Sequence, residues 1–331
     1  MRRTSAMHTV ALLMTLLVAL CGCGLRPSAT PVPPISEGSL KPVPNAAGQT
    51  LVVTSKSFTE QLILGKIAVL IGQAAGFDVV DMTNVPGSQP ARNLMVSGQA
   101  DVFFEYTGTA WLTYLNHENG IPDQRQQWEA VRDEDAENGL TWGEPAPLNN
   151  TYAFAVRADY ATEHGIATLS DMAKVPVADR TLCVESEFNS RTDGLNPMLQ
   201  AYDLPRGDTN GVPEANISLM DTGTVYQATA DGTCNFGEVF TTDGRIQSLN
   251  LVVLRDDKQF FPAYNAAPVF RTELVHTYPE LQQRFAEVAA LLDDDAMRNL
   301  NYKVDVEGAD PSQVAVDWMR EQGFIGEPDT R

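Results

Sequence analysis

The residues best placed for chemistry in this chain suggest capture rather than turnover. Lys56 stands just before a predicted helix start, so its ammonium would sit beside a terminus that itself attracts anions. Tyr106 follows the end of a predicted strand, the edge at which open α/β sheets bind ligands. The signatures of catalysis are missing: there is no G-x-S-x-G elbow, no G-x-G-x-x-G and no G-x-x-x-x-G-K-[ST]. His8, His117, His164 and His276 are scattered, and no pair has metal-ligand spacing. Asp293-Asp294-Asp295 lacks the calcium-loop spacing and glycine, and reads as a solvated helix end. No metal and no cofactor is therefore expected, and the sequence makes no positive case for an enzyme.

The elements that must position these residues alternate between strand and helix. Leu51 to Thr54 reads as a buried strand. Ser57 then opens a predicted helix, with Glu60 three residues on as a capping box. Leu62, Ile63, Ile67, Leu70, Ile71 and Ala74 follow at helical spacing, and Gly76 is the stop. Phe77 to Val85 and Ala100 to Phe104 are further strands, with a helix over Ala91 to Val96 between them, and a turn is expected over 105–109. A second block begins near Asn149. It has strands at Tyr152 to Val156, Thr181 to Glu185 and Leu251 to Leu254, and helices at Thr168 to Ala173 and Leu195 to Ala201. Helices close the chain at Glu280 to Leu292 and Pro311 to Gln322. This order predicts α/β layers with a largely parallel sheet.

The chain has 331 residues, enough for about two domains. Its net charge of −20 repels polyanions, which argues against nucleic acid as a partner. Arg2 and Arg3, followed by the uncharged run Val10 to Leu20, read as an export signal. Leu20-Cys21-Gly22-Cys23 resembles the lipobox of bacterial lipoproteins, which implies cleavage after residue 22 and a lipid on Cys23. The mature protein would then be anchored to the cell membrane on its extracytoplasmic side. Residues 23–49 carry Pro27, Pro31, Pro33, Pro34, Pro42 and Pro44, and read as a semi-extended tether. In an exported chain the remaining cysteines, Cys183 and Cys234, form either a disulfide or two buried thiols.

Five motifs then occur in order: Ser55-Lys56-Ser57-Phe58-Thr59-Glu60-Gln61, Glu105-Tyr106-Thr107-Gly108-Thr109, Asn149-Asn150-Thr151-Tyr152, Thr242-Asp243-Gly244-Arg245-Ile246 and Phe261-Pro262-Ala263-Tyr264-Asn265. In these the chain resembles the glycine betaine/choline-binding proteins of osmoprotectant ABC importers, from about Leu51 to about Phe324. The resemblance implies an α/β, two-lobed type II periplasmic-binding-protein clamshell with two crossover strands. Lobe 1 would be 50–145 plus 258–331, and lobe 2 would be 146–257. It also implies a quaternary ammonium solute, an ABC permease and its ATPase subunit as partners, a monomer, and no chemistry in this chain.

A trimethylammonium group has no N–H to donate, so aromatic faces are its natural partners, at ~0.5–2 kcal/mol per ring. The resemblance assigns Tyr106 and Tyr152 to such a cage, and extends to Tyr226 and Tyr264. Phe240 could add a ring or be core; Trp111 reads as helical core. For a solute carboxylate, Lys56 is the candidate from its place before a helix start, and the resemblance adds Arg191 and Thr109. If Arg191 faces the cleft, a zwitterion would pair it and choline would not, which favours a betaine. Phe154 and Phe240 are expected to reshape the pocket. The competing readings are a clamshell that binds an unrelated small solute or serves a sensory role, and a cleft enzyme.

Overall fold

The computed structural model describes residues 30–121 and 123–326. The expected signal and Cys23 lie outside the described residues. Residues 23–49 were expected to be a semi-extended tether, but 30–49 pack on the body. Strand β1 (Ser36–Glu37) pairs antiparallel with Ile325–Gly326 near the C-terminus. Leu40, Val43 and Ala46, apolar at every third position, are buried, and Val43 N–H bonds the carbonyl of Ala75. The prolines exclude a helix but do not prevent this apolar register from docking.

The first sheet is built around β2 (Thr50–Lys56), which is buried along nearly its whole length. It lies between β3 (Asp78–Val85) and β4 (Val102–Tyr106), parallel to both. Helix α1 (Thr59–Ala74) lies close against it. A Cβ on Gly65 would sit 2.8 Å from that of Ser55 and 2.7 Å from a Thr83 methyl, so only glycine allows this approach. The sheet continues through β11 (Ala266–Arg271) to β5 (Leu140–Trp142), in the order β3-β2-β4-β11-β5.

The second sheet has the order β10-β6-β9-β7-β8, comprising β6 (Tyr152–Arg157), β7 (Leu182–Glu185), β8 (Ile217–Met220), β9 (Phe236–Phe240) and β10 (Leu251–Val253). Each sheet is mixed rather than largely parallel. The chain crosses between sheets over 143–151 and returns over 254–265, and the crossings touch at Asn149 and Asn265. The strands that follow a crossing, β6 and β11, run antiparallel to both neighbours. No βαβ connection dictates their direction. The result is the two-lobed clamshell with two crossovers.

Cys183 on β7 and Cys234 just before β9 are joined in a disulfide, with a Cα–Cα distance of 5.7 Å. Helix α2 (Ser88–Val96) serves the first lobe, and the short helix α3 (Ser186–Ser190) follows β7 in the second. Helix α4 (Asp294–Asp305) begins at the acidic trio: Asp293 caps it, and Asp294 accepts the Asn149 N–H at the crossing. No described helix is long and apolar enough to cross a membrane.

Candidate functional site

A cleft of about 910 Å³ separates the two sheets. Lys56 and Tyr106 reach it from the ends of β2 and β4, Glu185 and Phe240 from the ends of β7 and β9, and Tyr152 from the start of antiparallel β6. This is the edge where parallel strands end and helix N-termini begin.

Five rings line the cleft as a continuous chain. Tyr106 stacks on Phe58 at 6.2 Å between centroids, and Phe58 stacks on Phe240 at 5.3 Å. Phe240 meets Tyr152 at 5.2 Å, and Tyr152 meets Tyr264 edge-on at 5.5 Å. The rings come from both sheets, the start of α1 and the return crossing. Gly108 makes room for the last of them, since a Cβ there would lie 2.6 Å from the Tyr264 ring.

Of the four expected tyrosines, Tyr106, Tyr152 and Tyr264 stand on the cleft wall and Tyr226 does not. Tyr226 is fully buried in the second lobe. Its hydroxyl accepts the Phe240 N–H at 2.9 Å, and the Arg245 guanidinium covers its ring at 4.3 Å. It therefore props the cleft from beneath. Phe154 is likewise buried, packed on Phe188 and away from the wall. Trp111 stacks on His117 at 3.5 Å outside the cleft.

Phe58 and Phe240 supply the other two rings. Phe58 was hidden by the capping-box reading, which the structure corrects. Phe58 itself is the N-cap residue, without a side-chain bond, and Glu60 turns inward. The Glu60 carboxylate accepts four bonds: from Tyr106 Oη at 2.8 Å, Asn150 Nδ2 at 2.9 Å, Thr242 Oγ1 at 2.6 Å and Asn301 Nδ2 at 3.1 Å. Burial raises its pKa, against the pull of those donors. A carboxyl group held by four segments is a joint between the lobes, and a capping box could not use it in that way.

The cationic side chains line the cleft already paired. Lys56 Nζ donates to Glu105 Oε1 at 2.6 Å and lies 5.0 Å from the Tyr106 ring centroid. Arg191 grips Asp193 with two bonds, of 2.7 and 2.6 Å, and covers Tyr152 at 5.3 Å. The argument that choline would strand an unpaired Arg191 therefore fails, because Asp193 pairs it whatever the solute. Asp193 also accepts the Tyr264 hydroxyl. Thr109 is buried on the same wall.

Carboxylates also stand on the second lobe's side. Glu187 on α3 reaches across to α2, where it accepts the Ser88 hydroxyl and, at 3.3 Å, the Ser88 N–H. Glu185 accepts the N–H groups of Glu187 and Phe188 at 2.9 and 3.0 Å. Beneath it, Glu238 accepts the Glu185 N–H at 3.1 Å. Burial, with Glu185 nearby, pushes its pKa up to about 8.

Residues 49–321 match the family described as the substrate binding domain of ABC-type glycine betaine transport systems. The chain belongs to this family. It is 39% identical over 290 residues to a glycine-betaine-binding protein of Pseudomonas aeruginosa, covering 85% of this chain and 90% of that one. It is 31% identical over 288 residues to the glycine betaine-binding protein YehZ of Escherichia coli, covering 85% and 93%. A solved structure titled as a glycine betaine/carnitine/choline ABC transporter superposes with a TM-score of 0.68 at 27% identity, over 83% of this chain and 99% of that one. The family is one of extracytoplasmic substrate-binding proteins, and members of it capture osmoprotectants for delivery to an ABC permease.

Proposed function

We propose that this protein captures a quaternary ammonium osmoprotectant, glycine betaine or a related betaine with choline as the alternative, and hands it to its permease without altering it. The five-ring chain Tyr106–Phe58–Phe240–Tyr152–Tyr264 carries this reading. A methylated cation offers no N–H, yet each ring face attracts it. Rings contributed from both sides would close around it, so solute binding would favour the closed arrangement of the lobes. Lys56, Thr109 and Arg191 line the same cleft and would serve a solute carboxylate, although both cations already hold acidic partners. The relatives named for glycine betaine support the betaine over choline.

In this reading the lobes divide at 145/146 and 257/258. A lipid on Cys23 would hold the monomer at the outer face of the cell membrane, and the ATPase subunit would act only through the permease. Calorimetry with glycine betaine, proline betaine, carnitine and choline tests it. Binding of at least one is expected, and failure to bind any of them would remove the reading.

A further inference from the structure

Directly after the Thr107–Thr109 turn the backbone widens into a π-helical turn over Ala110–Tyr114. Its ladder reaches five residues back, with Leu115 N–H on the Ala110 carbonyl at 2.9 Å. In an ordinary helix a threonine hydroxyl that is shielded from water can fold back onto the carbonyl four residues earlier. Thr113 does not: its Oγ1 is buried and has no hydrogen-bond partner. Single π-turns of this kind concentrate at functional sites. Thr113 stands on the cleft wall with Thr109, one turn away on the same segment.

Several other cleft hydroxyls are engaged by protein groups. Ser88 is held by Glu187, Ser190 by the Glu187 carbonyl, Thr192 by the Leu112 carbonyl and Thr59 by Asp305. Lys56 and Arg191 are engaged by Glu105 and Asp193. Among the described residues, Thr113 is the cleft-lining hydroxyl that is buried and unpartnered. A buried hydroxyl without a partner is costly, and turning it from its shielded position towards a solute oxygen in the cleft would remove that cost.

We infer that Thr113 is a further solute-contacting residue, donating its hydroxyl to the oxygen-bearing end of the solute and so helping to set specificity for solutes that have one. This rests on the quaternary ammonium reading above. The test is calorimetry of wild type, Thr113→Val and Thr113→Ser with glycine betaine, and with tetramethylammonium, which carries the cation and no oxygen. Thr113→Val should weaken glycine betaine about ten-fold and leave tetramethylammonium within about two-fold. Thr113→Ser, which keeps the hydroxyl, should bind glycine betaine close to wild type. Unchanged glycine betaine binding by Thr113→Val would overturn the inference. So would equal losses for both compounds, which would mean that the residue only shapes the cage. A wild-type protein that binds neither compound nor any other betaine would instead overturn the proposed function, and this inference with it.

Discussion

Glu187, on the second lobe, holds Ser88, the first residue of α2 in the first lobe, by hydroxyl and backbone N–H together. A carboxylate at a helix N-terminus satisfies an orphan donor and meets the positive end of the helix dipole. Here the carboxylate and the helix lie on opposite sides of the cleft, so the contact is a latch that exists only when the lobes are together. Glu187→Ala should weaken solute binding about five-fold, chiefly through faster release, as read by stopped-flow dissociation. An unchanged release rate would show that the latch does not hold the lobes. Burial alone would raise the Glu187 pKa, but Lys56, the Ser88 bonds and Arg191 outweigh it and hold it below the usual range. The stabilisation is therefore present at neutral pH, and is lost only as pH falls through that lowered value.

The ring chain separates cage from support. Tyr152→Ala should lower affinity for a quaternary amine ten-fold or more, because Tyr152 touches both Phe240 and Tyr264. Tyr226→Phe should do something different. It removes the acceptor for Phe240 N–H, costing about 1 kcal/mol of stability, with affinity changed less than three-fold. Calorimetry and thermal melts on the two variants read the contrast, and a larger affinity loss in the Tyr226 variant would reverse the assignment.

Glu238 makes stability depend on pH in the opposite sense from Glu187. Its pKa rises from the ordinary 4.5 to about 8 in the folded protein, through burial and then Glu185, with Arg191 acting against them and Asp243 with them. Between those values the folded chain binds the proton and the unfolded chain does not. Stability should therefore fall as pH rises from about 5 to 8. Glu238→Gln should flatten that part of the melting-temperature profile. A wild-type profile that is already flat there would count against a protonated Glu238.

Gly108 tests how finely Tyr264 is placed. Gly108→Ala would push a methyl to 2.6 Å from that ring, and the ring cannot retreat without leaving Asp193. Affinity should fall about ten-fold while the far-UV spectrum stays native, the cost of losing one ring and one buried bond. Wild-type affinity would show that the ring has slack.

How much of this was legible in the sequence differs element by element. The apolar period of α1 and its glycine stop gave that helix nearly to the residue, and Leu195 to Ala201 was read correctly, because local spacing decides both. Strands β5, β8, β9 and β11 were not read. β8 is a half-exposed edge, and β11 owes its place to pairing with distant β4 and β5. In the cleft, Tyr106, Tyr152 and Tyr264 could be named from their motifs. Phe58 and Glu60 misled because Ser57-Phe58-Thr59-Glu60 also spells a helix start, and nothing local says that the carboxylate is wanted by Asn150, Thr242 and Asn301. The pairing of Lys56 and Arg191 with acids depends on the folded approach of Glu105 and Asp193, not on motif identity.

The docked N-terminal strap has a mechanical consequence. Thr30 is tied through its carbonyl to Lys66 and Ser312, and β1 is stitched to the C-terminal strand, all on the first lobe. Anything that precedes residue 30 therefore leashes one jaw alone. Tension from that end bypasses the crossings, and the other jaw stays at liberty to swing.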